Sequence, residues 1–349
     1  MKRKLAIVAV LLVVACIATT RCARAADSQR PNFVLIMCDD MGFSDIGCYG
    51  GEINTPNLDR LAHEGLRFRQ FYNNAKCTTT RASLITGRYP RHGGRGIELL
   101  DERTTTIAEV LRAAGYRTSL SGKWHLGSKP PHRPIDRGFD EFYGLMDGCC
   151  NFFDPARPDP EYKGGRVRVF AHNDQRITSF PNDFYTTDAF TDHAIGMLEK
   201  FAGDESPFFL HVTYTAPHYP LHAKPEDIAK YLGTYRDGWE ALRASRHRRM
   251  IEMGLVDTAW PLSATDSRSY PWQEANHEFE DRRMAVYAAM IDAMDQNIGK
   301  LLTSLTELGL DENTLVMFLS DNGGCAEEPG GRDPENRFAG PAADYVAVG

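Results

Sequence analysis

The chain contains no C-x-x-C pair; the five contexts it does offer beyond residue 25 are CDD, CYG, CTT, CCN and CAE. That absence excludes the common thiolate zinc modules. Six cysteines lie beyond residue 25 (Cys38, Cys48, Cys77, Cys149, Cys150 and Cys325), too few for a disulfide scaffold at this length. Basic charge is also scarce. Lys and Arg number 40 against 47 acids, a formal charge of −7. Residues 1–25 hold five basic residues and no acid, so the rest of the chain stands at −12. A surface that acidic lacks the electrostatic footprint of a nucleic-acid binder, and no basic arm, zinc finger or helix-turn-helix is present. Internal repeats are missing. Beyond residue 25 no apolar run is long enough to span a bilayer, so no stable membrane span is expected.

What is present begins with an export leader. Lys2, Arg3 and Lys4 precede an apolar run from Leu5 to about Ala18, and Ala23-Arg24-Ala25 fits an A-x-A cleavage site. The expectation is a signal peptide over 1–25 and an exported, periplasmic or secreted protein. A looser lipobox, Val13-Val14-Ala15-Cys16, is the rival reading, with a lipid anchor at Cys16.

Asn32–Met37, Pro207–Tyr214 and Thr314–Leu319 are continuous apolar runs, the pattern of strands covered on both faces. RTSLSG at 117–122 is strand-like. Thr55–Gly65 and Thr104–Gly115 read as capped helices, the second with Ile107, Val110 and Leu111 as its stripe. Met284 to about Leu308 reads as a long helix striped by Val286, Met290, Met294, Ile298, Leu301 and Leu302. Alternating strands and helices predict an α/β fold with a mainly parallel sheet between helices. Residues 149–187 and 232–280 are irregular, expected as long connections or insertions.

Ligands in open α/β sheets collect at the carboxyl ends of the strands. There this chain carries Asp39-Asp40, Asp321-Asn322, Lys123-Trp124-His125, and His218 with His222. Each acidic pair alone reads as turn chemistry. Two pairs together make an oxygen-rich set that suits calcium or magnesium better than zinc. Lys123 and His125, two apart, would share a face of an extended segment with Trp124 on the other. A cation beside an imidazole suggests an anionic ligand with a proton to move.

Cys77 heads CTTTRASLITGRYP, where TTRASLITG reads as a short helix stopped by Gly87. Arg81 lies one turn on. A helix N-terminus beside an arginine is an anion site, and a thiol there would have a lowered pKa. On the residues alone Cys77 could be a buried thiol, half of a disulfide, a nucleophile or the precursor of another group.

Here CTTTR, continuing ASLITGRYP, resembles the sulfatase signature. NFVLIMCDDMGFSDIGCYGG, TPNLDRLAHEGLRF, GKWHLG, TAPHYPLHA and LSDNGG resemble successive blocks of the type I, arylsulfatase-like family, in family order over nearly the whole chain past the leader. The resemblance implies the alkaline-phosphatase-like α/β/α sandwich and hydrolysis of sulfate monoesters of carbohydrates or aryl alcohols. It implies oxidation of Cys77 to Cα-formylglycine by a maturation enzyme. One hydroxyl of the hydrated aldehyde attacks sulfur, forming a covalent sulfoenzyme, and the second drives sulfate off. Asp39, Asp40, Asp321, Asn322 and the modified Cys77 are implied as calcium ligands, magnesium being possible. Arg81 would hold diol and carboxylates in register, while Lys123, His125 and His218 bind sulfate oxygens. His125 would partner the diol, and His218 or Lys123 the departing oxygen.

Two departures stand out. The family signature has Pro or Ala two residues after the cysteine, where this chain has Thr79; and no lysine follows Lys300, although family members carry a sulfate-binding lysine downstream of DNGG. The implied organisation is a leader at 1–25 and an N-terminal catalytic domain over 26–349, C-terminally incomplete, lacking the smaller subdomain. Two alternatives remain: a phosphomonoesterase or phosphodiesterase of the same fold, which would favour Ser or Thr and histidine ligands, and a non-catalytic binder of sulfated glycans.

Overall fold

A computed structural model describes residues 30–90, 100–101, 103–159, 164–265 and 271–325. The leader and cleavage-site readings, and the stretch after Cys325, lie outside the described residues. NFVLIMC forms β1 (Asn32–Cys38), which pairs in parallel with β6 (Phe208–Thr213) on one side and β7 (Thr314–Ser320) on the other. β2 (Arg117–Gly122) lies beyond β6, and β3 (Glu141–Leu145) beyond β2, also parallel. β4 (Phe170–His172) and β5 (Gln175–Ile177) extend that side as an antiparallel hairpin. The order is β5-β4-β3-β2-β6-β1-β7.

Period-2 alternation sends each central strand into two cores. Val34 and Ile36 of β1, with Leu210 and Val212 of β6, enter one; Leu35 and Phe209 enter the other. The first core is roofed by α4 (Thr186–Ala202) and the 31-residue α7 (His277–Glu307), whose Val286, Met290, Met294, Ile298 and Leu301 are fully buried. The second lies under α2 (Cys77–Thr86) and α3 (Ile107–Ala113). Three layers, helix-sheet-helix, result. No helix among the described residues is long and apolar enough to cross a membrane.

Several local expectations are corrected. In α3, Thr106 and Glu109 form the capping box, but Ile107 and Val110 are exposed and Ala108 is the buried residue. The helix is short and lies on the sheet through its small side chain. In α1 (Pro56–Glu64) Thr55 makes no side-chain cap; its hydroxyl accepts from the Gly47 amide at 2.9 Å. The first turn is instead capped from α7, where Asp295 accepts from the amides of Asn57 (3.1 Å) and Leu58 (2.8 Å). β7 is only half-buried, with Leu315 about half exposed, because among the described residues no strand pairs with its outer edge. The irregular stretches contain the β4–β5 hairpin, α5 (Pro225–Ala229) sits just ahead of the second of them, and that second stretch holds the 15-residue α6 (Gly238–Glu252).

Candidate active site

Parallel pairing in register brings the carboxyl ends of β1, β2, β6 and β7 to one edge of the sheet. The chain crosses there in short steps: the Asp39 amide donates to Ala216 O at 3.0 Å, Asp321 N to Cys38 O at 3.1 Å, and Lys123 N to Thr213 O at 2.8 Å. Thus Asp39, Asp321, Lys123 and the segment before His218 are stitched together by backbone. Gly122 is required for this approach. Its φ is +126°, and a Cβ there would stand 1.9 Å from Thr213 O.

Asp39, Asp321, Lys123 and Arg81 are all buried. Arg81 donates from Nε (3.0 Å) and Nη2 (2.7 Å) to Asp321 Oδ2, and from Nη1 to Lys123 O at 2.9 Å. Its Nη2 is also 3.8 Å from Asp39 Oδ1. The Lys123 ammonium pairs directly with Asp39 Oδ2. Lys123 is therefore a wholly interior cation. Burial, the largest single effect, opposes its charge, but Asp39 together with Cys77 and Asp321 outweighs burial and Arg81, and its pKa is raised. Burial beside Asp39 raises Asp321 above the usual carboxylate range despite Arg81.

Asp40 and Asn322 form the outer half: Asn322 Nδ2 donates to Asp40 Oδ1 at 2.5 Å, and the Asp40 amide to Asp321 Oδ1 at 3.3 Å. His218 Nε2 lies 3.5 Å from Asp40 Oδ2. Ligating atoms of Asp39, Asp40 and His218 fall within 4.8 Å of one another. The residues fit a hard divalent cation. Three carboxylates, those of Asp39, Asp40 and Asp321, converge beside the Asn322 side-chain amide, and the buried Asp39 Oδ1 has no hydrogen-bond partner. A buried carboxylate oxygen left so is costly unless something charged faces it.

Cys77 is the first residue of α2, after Lys76 at its N-cap, and Gly87 closes the helix at φ 65°. The thiol lies 3.5 Å from His125 Nδ1. Its pKa is raised, not lowered as helix position alone predicts. Desolvation is the largest effect; Asp39 and Asp321 add to it, and Lys123 and Arg81 only partly offset it. The Cys77 thiol is free, so Cys77 is not half of a disulfide. Cys38, beside Asp39, is fully buried and its pKa is pushed well up, which leaves it inert.

Lys123 and His125 do share the site, but not through an extended strand. β2 ends at Gly122, and His125 sits in the left-handed region at φ 59°. The amides of Trp124 and His125 donate to Leu145 O (2.8 Å) and Met146 O (3.2 Å), while Trp124 packs edge-on against Phe139. Burial first, then Lys123 and Arg81, hold the His125 imidazole far below its ordinary pKa and therefore neutral. Asp40 at φ 65° and Ala75 at φ 54° are likewise left-handed. Such backbone is uncommon outside glycine, and three of the four non-glycine cases described flank this site. His222 stands apart: it is buried, and its Nδ1 accepts from the Phe152 amide at 3.3 Å.

Sequence reasoning missed three supports. Tyr287 of α7 donates to Asp45 Oδ2 (2.6 Å) and to Asp40 O (3.3 Å), fixing the turn that presents Asp40. Arg246 of α6 backs Asp45 at 2.5 Å and Glu52 at 2.7 Å. Gly148 lies against the His125 ring, where a Cβ would stand 2.5 Å from Cε1. None follows a sheet strand directly or falls in a motif, so no local signal marks them.

The sulfatase family profile matches residues 31–345. The chain belongs to the sulfatase family. Among curated relatives, this sulfatase is 36% identical over 317 residues to an arylsulfatase of Klebsiella aerogenes, covering 86% of this chain and 68% of that one. It is 30% identical over 328 residues to the human N-acetylgalactosamine-6-sulfatase, covering 87% and 52%. The crystal structure of Ps i-CgsB in complex with k-i-k-neocarrahexaose superposes with a TM-score of 0.67 at 31% identity, covering 88% of this chain and 61% of that one. The chain thus spans roughly half to two thirds of its relatives' length. The three-layer sheet is the alkaline-phosphatase-like sandwich of these proteins.

Proposed function

We propose that this sulfatase hydrolyses sulfate monoesters of carbohydrates, with Cys77 carried as Cα-formylglycine. The observation that carries the reading is the setting of Cys77. It stands at a helix N-terminus, beside His125 and among the buried cations Lys123 and Arg81, yet burial raises its thiol pKa rather than lowering it. A cysteine so placed is a poor nucleophile but a well-placed precursor. Hydrated formylglycine supplies one hydroxyl to attack sulfur and a second whose collapse releases sulfate.

His125, whose Nδ1 lies 3.5 Å from the Cys77 sulfur, is placed to take a proton from a hydroxyl at that position. Lys123 and Arg81 supply fixed positive charge where a sulfate ester develops negative charge. His218, the more exposed imidazole, suits a proton donor to the departing alcohol. Asp39, Asp40, Asp321 and Asn322 would hold calcium, or magnesium, which polarises a sulfate oxygen. The leader at 1–25 supports action outside the cytoplasm, after a maturation enzyme has read CTTTR. Thr79, its hydroxyl donating to Lys76 O at 3.0 Å, is the one unusual residue in that motif.

The carbohydrate substrate class rests on the 31%-identical neighbour captured with a neocarrahexaose. The test is mass spectrometry of the Cys77 peptide after co-expression with a formylglycine-generating enzyme, paired with turnover of a chromogenic sulfate and of sulfated oligosaccharides. Conversion with turnover is expected. Turnover by protein that retains the unmodified thiol would overturn the formylglycine reading, and glycan binding without turnover after full conversion would overturn the hydrolytic one.

A further inference from the structure

A second cluster of ligating side chains lies away from the strand-end site, on the sheet face beneath α4. Register aligns Ser121 of β2 with Tyr143 of β3, and Tyr143 with His172 of β4, so the three point to one face. Glu141, two residues before Tyr143, shares that face. His193 descends on them from α4. Its ring stacks on Tyr143 at 4.9 Å and 20°, and stands edge-on to His172 at 5.8 Å and 80°.

We propose that Glu141, His172 and His193 form a binding site for a borderline divalent cation such as Zn2+. One ligating atom from each residue lies within 4.8 Å of the others. His172 Nε2 and Glu141 Oε1 already meet at 2.6 Å. The two nitrogens of His193 divide their work. Nδ1 shares a hydrogen bond of 2.6 Å with Ser121 Oγ, which sets the ring, and Nε2 is buried with no hydrogen-bond partner. A ligating histidine held through its other nitrogen is the usual arrangement at metal centres. Leaving Nε2 bare in the interior otherwise costs the desolvation of an unsatisfied polar atom.

Two imidazoles and a carboxylate favour zinc over calcium, whereas the carboxylate-rich set at the strand ends favours the reverse. The two sites therefore sort their metals by ligand chemistry. Three protein ligands leave one tetrahedral position to water. The ion would tie the paired strands β3 and β4 to α4, whose His193 is held by Ser121, two residues before Lys123 on the adjoining β2.

The full chain, with calcium in excess, is titrated with Zn2+ by calorimetry and by Co2+ absorption. One zinc per chain is expected, with cobalt spectra of a tetrahedral site. His172→Ala, at a half-exposed position whose loss leaves the cores intact, should weaken zinc binding at least about 10-fold and abolish the zinc-induced rise in Tm. Asp321→Asn should leave zinc affinity unchanged. No zinc binding in the parent, or binding that survives His172→Ala and is lost in Asp321→Asn, overturns the proposal.

Discussion

Arg81 grips Asp321 through both Nε and Nη2, at 3.0 and 2.7 Å, across 240 positions of sequence and with both side chains buried. The pair joins the helix that presents Cys77 to the edge strand that presents two of the carboxyl-end ligands. Removing the cation strands a buried carboxylate. Arg81→Ala is therefore expected to lower unfolding free energy by about 3–5 kcal/mol in denaturant titration. Arg81→Lys keeps the charge but loses the fork, and should recover only part of that loss. A loss under about 1 kcal/mol in Arg81→Ala would show that the pair does not hold the edge together.

Gly148 is the floor beneath His125. A Cβ there would meet Cε1 at 2.5 Å and Nε2 at 2.6 Å. Gly148→Ala should displace the ring from the Cys77 position. Turnover is expected to fall about 100-fold, with about 1–3 kcal/mol of overpacking cost in stability. Unchanged turnover would remove His125 from the reacting geometry.

Calcium should bind where the buried Asp39 Oδ1 has no hydrogen-bond partner. At a concentration 100-fold above Kd it would add about 2.7 kcal/mol of stability, read as a rise in Tm that chelation reverses. Asn322→Ala should weaken that calcium response at least about 10-fold. A response that is the same in parent and variant would place the cation elsewhere.

Acid should destabilise the fold through buried histidines. Burial lowers the His211 pKa to about 4, while its Nδ1 lies 2.8 Å from Leu35 O. Unfolded, the same imidazole titrates near about 6.5. Between those values the unfolded chain binds a proton that the folded chain does not. Stability is then full above about pH 6.5 and falls as pH drops, by about 1.4 kcal/mol per pH unit for this one group. His211→Gln should flatten the slope of Tm against pH between 6.5 and 4; an unaltered slope would show that His211 does not titrate on unfolding.

The strands and helices near the site were legible because their signals are local. NFVLIM, PFFLHV and TLVMFL are apolar on both faces, and each becomes a parallel strand with the chemically active residues just past its end. α7 was legible from its stripe, although it starts at His277, under an Asn276 cap seven residues ahead of the stripe's reading. The α3 stripe failed because a seven-residue helix lying on the sheet through Ala108 leaves its larger side chains in solvent. β7 read as interior from composition, but exposure of an edge strand depends on what pairs beside it.

Residue types and their positions were thus determined by the sequence itself: the carboxylates, Lys123, His125 and His218 past strand ends, and Cys77 and Arg81 in helix α2. Protonation was decided only by the tertiary structure. Helix position argued for a lowered Cys77 pKa, and desolvation reversed the sign. Lys123 read as a cation facing an anionic ligand, and the fold buries it completely against Asp39. The Glu141, His172 and His193 cluster has no sequence signature, since its members come from two strands and a helix that meet only through sheet register. Desolvation and charge pairing act between groups distant in the chain, and their balance exists only once the layers have closed around them.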